Sequence, residues 1–342
     1  MTFTVASINV NGIRAAVKKR SEENLGFLPW LDRTPADVVL MQEVRADEAQ
    51  TQAALAPALD AGWHLVQAPA AAKGRAGVGI LSRLPLRDVQ IGFGHEDIAG
   101  HPGASAAARE FDGAGRYIEA TVDLPGGDGG VGAVRVASLY LPSGSAKTAK
   151  QDEKYRFLDA FGPYLQARAA VGEPMIVGGD WNICHRRQDL KNWRTNRTKA
   201  GFLPDERAFM DSLLGVGLDG ASQVGDVVDA GRAGNPGGSA GDFYGSVDYV
   251  PGDLAQARLA GGAAEEPGWV DVVRKLHPEA EGPYSWWTFR GQAFDTDAGW
   301  RIDLQVATRE LAERARRAWV DRAEAYALRW SDHSPVMVEY GV

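Results

Sequence analysis

The stretch Ile176-Val177-Gly178-Gly179-Asp180-Trp181-Asn182 carries a short β-branched run through two glycines onto a carboxylate and a carboxamide two residues apart. Side chains at i and i+2 of an extended segment share a face, so Asp180 and Asn182 are predicted to enter one pocket while Trp181 packs away from it. Gly, Asp and Asn are also ordinary turn formers, and in isolation the stretch reads equally well as a β-turn. The rest of the chain repeats the device. A run with Phe3, Val5 and Ile8 ends in Asn9-Val10-Asn11-Gly12, and Val38-Val39-Leu40-Met41 ends in Gln42-Glu43, where a buried glutamate is costly unless paired or bound to metal. Tyr140, Asp303, Asp332 and His333 also stand at or near the ends of apolar runs. In an α/β sheet, strand-end polar groups converge on one rim. Carboxylate and carboxamide oxygens without cysteine suit Mg²⁺ or Mn²⁺, which retain waters and take a substrate phosphate as a further ligand. A histidine beside carboxylates can be oriented and kept charged against a developing phosphorane. The set implies phosphodiester hydrolysis.

The elements that must position these groups follow from the hydrophobic pattern. With 342 residues, 44% hydrophobic and 9% aromatic, the chain suits one large α/β domain or two small ones. Strands are predicted over 3–10, 38–41, 77–82, 115–122, 134–139, 176–180, 300–306 and 336–340, and after the glycine-rich stretch the structured pattern resumes at 269–273. Helix-spaced apolar residues run over 13–31 and 155–165, a helix opens at Pro204, and an arginine-rich helix is predicted from Glu310 to Arg322. No run approaches the roughly 18 apolar residues of a membrane span, and the first residues read as a strand, so no membrane partner and a cytoplasmic location are expected. The one cysteine, Cys184, excludes an internal disulfide or a multi-cysteine zinc site and lacks the motif of a nucleophile. His95 and His101 have no ligand-spaced partners and are expected at the surface.

Charge is unevenly spread in this chain of net charge -8. From Cys184 to Gly201 there are six cations, among them Arg186, Arg187, Lys191, Arg194 and Arg197, against one acid, with Trp193 in their midst. A polyanion would be held there, because arginine forks match phosphate geometry; a solvated loop is the bland alternative. Residues 220–268 hold twelve glycines, seven acids and two bases, and read as an excursion unsuited to touching phosphates, with Val247 to Val250 able to form a hairpin. The cluster Tyr284-Ser285-Trp286-Trp287-Thr288-Phe289 is dense enough to be core or a stacking platform.

Eight pieces occur in one order: Asn9-Val10-Asn11-Gly12, Gln42-Glu43, Tyr140-Leu141-Pro142, Gly179-Asp180-Trp181-Asn182, Phe202-Leu203-Pro204-Asp205-Glu206-Arg207, Trp286-Trp287-Thr288, Trp300-Arg301-Ile302-Asp303 and Ser331-Asp332-His333-Ser334-Pro335. In this the chain resembles the exonuclease III family of apurinic/apyrimidinic endonucleases from residue 3 to 340, interrupted at 220–268. The resemblance implies an α/β four-layer sandwich, two packed and mostly antiparallel sheets flanked by helices, forming a single domain over 1–342. It implies a DNA repair nuclease using Mg²⁺, with Mn²⁺ as a substitute, on double-stranded DNA carrying abasic sites or 3′ ends; a monomer is expected. Carried over by position, Glu43 is the main metal ligand with Asn11 and Asp332 nearby, although some relatives have aspartate at the position of Asn11. Asp180 handles the attacking water with Asn182 and Asn9, His333 paired with Asp303 contacts the phosphate, and Tyr140 stabilises the reacting or leaving oxygen. Trp286, Trp300 and Ile302 fall where the family lines a pocket for a base-less sugar, Ser143 lies in a loop affecting access, and the basic 186–199 stretch falls at a DNA-contacting loop. Non-specific deoxyribonucleases and small-molecule phosphatases share the fold and metal chemistry, and a silent DNA-binding module is the alternative from another class.

Overall fold

Val38–Gln42 and Met175–Asp180 are buried along their entire length, as expected of continuous apolar strands covered on both faces. The computed structural model describes residues 1–72, 74–94, 106–125, 131–215, 245–253, 255–257 and 263–342. Its strands are β1 (Thr2–Asn9), β2 (Val38–Gln42), β3 (His64–Ala68), β4 (Val78–Ser82), β5 (Leu86–Ile91), β6 (Tyr117–Asp123), β7 (Ala133–Tyr140), β8 (Met175–Asp180), β9 (Trp269–Asp271), β10 (Asp303–Thr308), β11 (Ala315–Val320) and β12 (Val336–Gly341). They form two six-stranded sheets, ordered β11-β12-β1-β2-β4-β3 and β5-β6-β7-β8-β10-β9.

Each sheet has one parallel pair, β1 with β2 and β7 with β8, and its other pairings are antiparallel. This arrangement locates the site. The C-terminal ends of a parallel pair point the same way, and the antiparallel neighbours begin where that pair ends. Asn9, Gln42, Tyr140 and Asp180 are therefore strand ends, while Asp303 opens β10 directly opposite Asp180.

Three apolar clusters separate the layers. Phe3, Val5, Val38, Leu40, Val122, Val136, Ile176 and Val338 fill the space between the sheets. Ala6, Ile8, Val39 and Met41, the alternate positions of the first sheet, pack on Phe27, Trp30, Leu31 and Leu55 of outer helices. Leu139, Val177, Leu304 and Val306 face Phe157, Leu158, Phe161 and Leu165 of the helix Ala149–Val171. The result is the helix–sheet–sheet–helix sandwich that the sequence led us to expect.

Three sequence expectations are corrected. The apolar residues of 13–31 form two short helices, Ile13–Ala16 and Phe27–Arg33, because Gly26 at φ 83 breaks the path and Asn24 is bonded to the carbonyls of Ala327 and Arg329. The arginine-rich segment is helical only over Arg309–Glu313; from Ala315 it pairs as β11 with β12, so tertiary pairing overrides local propensity. Val247 to Val250 forms no hairpin: the carboxylate of Asp152, near the start of the Ala149–Val171 helix, accepts the backbone N–H groups of Val247 and Asp248 at 2.9 and 3.0 Å. His95, His101 and residues 220–244 lie outside the described residues. Among the described residues, no helix is long and apolar enough to cross a membrane.

Candidate active site

Asp180 and Asn182 do converge, by a different device from simple strand alternation. Asn182 turns into the left-handed region at φ 50, and its backbone N–H bonds Asp180 Oδ1 at 3.0 Å, closing an Asx turn. Asn11 repeats this on the other sheet, with φ 48 and its N–H on Asn9 Oδ1 at 3.0 Å. Glu43 also sits at φ 49. Asparagine tolerates that conformation, but for glutamate it costs roughly 1–2 kcal/mol, strain of the kind held at functional sites.

Asn9 links the two sheets. Its Nδ2 donates to Glu43 Oε1 at 3.0 Å and to Asp180 Oδ2 at 2.9 Å, spending both amide hydrogens on carboxylates from opposite sheets. Glu43 is completed by an ion pair with Arg45. Asn11 Nδ2 donates to Asp332 Oδ1 at 2.7 Å, and Trp286 Nε1 to Asp332 Oδ2 at 3.1 Å. A bonded chain thus runs from Glu43 through Asn9 and Asn11 to Asp332. Its donor set of carboxylate and amide oxygens, with no sulfur, fits a hard divalent cation.

His333 Nδ1 donates to Asp303 Oδ2 at 2.8 Å, and its Nε2 faces Asp180 Oδ2 at 3.9 Å. Ser285 Oγ donates to Asp303 Oδ2 at 2.6 Å and fixes that carboxylate. Burial disfavours the imidazolium, but the paired charge and hydrogen bond of Asp303 outweigh it and lift His333 to about 10. Burial, reinforced by the neighbouring Asp303 and Glu43, pushes the Asp180 carboxyl up to about 7 against the opposing pull of His333. Ligand atoms of Asp180, Asp303 and His333 lie within 4.8 Å of one another, a spacing that could hold a metal. Asp303 holds Nδ1 of His333 and the Nε2 side faces Asp180, so the three side chains form one charge-coupled group. Burial, together with the charges of Glu43 and Asp180, keeps the Tyr140 phenol well above its ordinary range and therefore protonated, while Arg116 stacks 5.3 Å from its ring centre.

Trp286 and Trp300 meet edge to face at 5.9 Å and pack with Ile302, making one wall beside the trio. Of the basic stretch, Lys191, Arg194 and Arg197 are exposed, with Arg194 over the Trp193 ring. Arg187 is half-buried and also lies over Trp193, and Ser143 is exposed. Arg186 departs from the expectation of substrate contact: it is buried and donates to the Gly215 carbonyl at 3.1 Å. Cys184 is buried, and burial pushes its thiol well up, which leaves it unreactive. Sequence reading passed over Ser285, Arg45 and Arg116. For two of them the signal was proximity to motifs, two residues after Glu43 for Arg45 and one before Trp286 for Ser285, whereas Arg116 adjoins none.

The chain is 27% identical over 330 residues to the exodeoxyribonuclease of Bacillus subtilis (strain 168), covering 96% of each. It is 24% identical over 336 residues to the DNA-(apurinic or apyrimidinic site) endonuclease of Dictyostelium discoideum, covering 98% of this chain and 69% of that one. Its fold matches an AP endonuclease from Archaeoglobus fulgidus with a TM-score of 0.67 at 23% identity, covering 99% of this chain and all of the other (100%). It likewise matches the 3′-5′ exonuclease of Neisseria meningitidis with a TM-score of 0.66 at 22% identity, covering 99% of each. Residues 6–333 match the model of the Endonuclease/Exonuclease/phosphatase family, and the chain belongs to that family.

Proposed function

We propose that the protein is a Mg²⁺-dependent DNA repair nuclease that hydrolyses phosphodiesters 5′ to abasic sites and also acts at 3′ ends of duplex DNA. The observation that carries this is the Asn9 bridge: one amide joins the Glu43 end of the carboxylate chain to Asp180, itself facing the His333–Asp303 pair. Binding groups for a cation, a water and a phosphate are thereby held on one rim.

Glu43, Asp332 and Asn11 are the residues that would hold the ion. Bound Mg²⁺ supplies charge neutralisation of the phosphate, with Mn²⁺ able to substitute. Asp180 orients the attacking water and takes its proton, with Asn9 and the Asn182 turn fixing the carboxylate. His333, held charged by Asp303, offers its Nε2 side to the phosphate and stabilises the negative charge that builds there. The protonated Tyr140 donates to the reacting or leaving oxygen. Trp286, Trp300 and Ile302 form the wall on which a base-less sugar rests, rejecting nucleotides that carry a base. Lys191, Arg194 and Arg197 contact the duplex backbone, and the enzyme works as a monomer.

The test uses purified protein, Mg²⁺ and two labelled duplexes, one with a central abasic analogue and one undamaged with a recessed 3′ end. Internal cleavage 5′ to the abasic site with 3′-end shortening supports the proposal. Loss from the 3′ end without incision makes the protein an exonuclease alone, and no cleavage of either duplex refutes a DNA substrate.

A further inference from the structure

Behind the catalytic rim lies an ion pair with neither side chain exposed: Lys154, on the helix Ala149–Val171, meets Glu206, in the first turn of the helix Pro204–Leu214, at 2.6 Å. Such a pair is a weak source of stability, because desolvation offsets its attraction and apolar replacements are often neutral. What else the two groups hold is more informative. Lys154 Nζ donates to the Asn182 carbonyl at 2.9 Å and to the Ser143 carbonyl at 3.4 Å. Glu206 Oε2 accepts the N–H groups of Gly201 and Leu203 at 2.7 and 3.0 Å, and Oε1 accepts Gln151 Nε2 at 3.1 Å.

Gly201 is where this network reaches the pocket wall. At φ 92, a Cβ on it would lie 2.9 Å from the Trp300 ring and 3.3 Å from the Asn182 carbonyl, and its own carbonyl takes the Cys184 N–H at 2.8 Å. One buried pair therefore grips the loop after Tyr140, the left-handed turn after Asp180 and the turn backing Trp300.

We infer that Lys154 and Glu206 are positioning residues for the nuclease reaction, locking the Asn182 turn, and through it the Asp180 carboxylate, against the turn that supports Trp300. The inference rests on the nuclease reading above. The Asn182 N–H holds Asp180 Oδ1, so freeing the Asn182 carbonyl lets the Asx turn relax and the carboxylate rotate away from the water it orients. Small misplacements of that kind slow chemistry more than binding.

Lys154→Met alone leaves a buried carboxylate uncompensated and risks unfolding. The double variant Lys154→Met/Glu206→Gln removes both charges and keeps an acceptor for Gly201 and Leu203. We would measure kcat and KM on the abasic duplex, thermal unfolding, and hydrogen exchange in peptides covering 180–184 and 199–203. The expected result is a folded double variant with kcat reduced about tenfold or more, KM within about threefold, and faster exchange in both peptides. A folded double variant with wild-type kcat overturns the inference, as does a kcat loss without any change in exchange. If the wild-type protein cleaves neither duplex, the nuclease reading fails instead. Exchange then decides the tie by itself, acceleration in both peptides supporting it and unchanged exchange overturning it.

Discussion

Replacing Asp180 with asparagine separates catalysis from folding. Burial raises the Asp180 carboxyl from 3.8 to about 7, so in the metal-free protein the fold favours its protonated form. That contribution is fully present below the unfolded value and is lost as pH rises through the folded one. A rise of this size is equivalent to at most about 4 kcal/mol between the two plateaus. Asparagine, neutral throughout, escapes this loss. It incurs another, since Oδ1 accepts from Asn182 N–H and Oδ2 from Asn9 Nδ2, and an amide group sets a donor against one of them, costing about 1–3 kcal/mol at every pH. Stability of Asp180→Asn relative to wild type should therefore improve as the buffer goes from about pH 4 to about pH 8, the two costs being of similar size at the upper end. Turnover should fall by about 10²–10⁴, the contribution of a positioned base, with duplex affinity retained. Single-turnover cleavage, fluorescence anisotropy with labelled duplex, and thermal unfolding in metal-free buffer at both pH values make the comparison. A variant turning over at more than about a tenth of the wild-type rate refutes the assignment of the base, and a stability difference that does not change with pH refutes the account of Asp180 as a buried, raised carboxyl.

Asn9→Asp inserts a third carboxylate where an amide now bridges Glu43 and Asp180; single-turnover kcat should fall about 10²-fold or more, and a loss below about threefold would show that the bridge is dispensable. The kcat–pH profile should rise through a limb at or below about 7, from Asp180, and decline near 10 as His333 loses its proton, with the alkaline limb absent in His333→Gln. An acid limb above pH 8 would be inconsistent with Asp180 as base. Glu43→Gln should raise the Mg²⁺ needed for half-maximal rate about 10–100-fold, measured by titration after chelation; an unchanged titration would move the ion elsewhere. Trp300→Ala should reduce abasic incision relative to 3′-end trimming of undamaged duplex, read by competition between the two substrates, and an unaltered ratio would remove Trp300 from the pocket.

The layers were legible because β2 and β8 are buried on both faces and read as short apolar runs ending in polar residues, while β1 and β7 set Phe3, Val5, Ile8, Val134, Val136 and Leu139 among small or polar neighbours. Edge strands were not: β5 is largely exposed and β3 is buried at its last residue alone, so neither carries an apolar pattern that distinguishes it from a loop. β11 looked helical because it lies in a stretch rich in arginine, glutamate and alanine, all good helix formers, and only pairing with β12 decides otherwise. Within the site, residue types named the chemistry, but charge alone could not tell a cation that faces solvent from one that faces the protein. Arg186 and Arg194 look alike in sequence; the first caps the Gly215 carbonyl in the interior and the second stands exposed over Trp193. Asp189, the one acid of that stretch, showed no role in sequence. In the fold Arg301 and Arg274 overcome the effect of burial and hold its carboxyl well below the usual range, which ties the basic stretch to the strand bearing Asp303.

Why the reactive groups sit on this rim follows from the doubling of the fold. Each sheet supplies one parallel pair and one left-handed asparagine turn, so each brings an anchored acceptor to its end, Asn9 from one and Asp180 from the other. Two apolar sheets packed face to face could slide, yet a polar seam crosses between them at this end. Gln42 Nε2 donates to Ser138 Oγ at 3.0 Å, Ser138 Oγ to the Met41 carbonyl at 2.8 Å, and Gln305 Nε2 to the carbonyls of Val5 and Val336 at 2.9 and 2.7 Å. Buried hydrogen bonds of this kind add modestly to stability but penalise any displacement that leaves them unmade. The seam fixes the register of one sheet on the other, and the Asn9–Asp180 bond is its last rung. A site assembled from two sheets is thereby tied across its seam by hydrogen bonds, and on the nuclease reading this serves electrostatic stabilisation of a phosphorane, since donors must already point where the charge will develop.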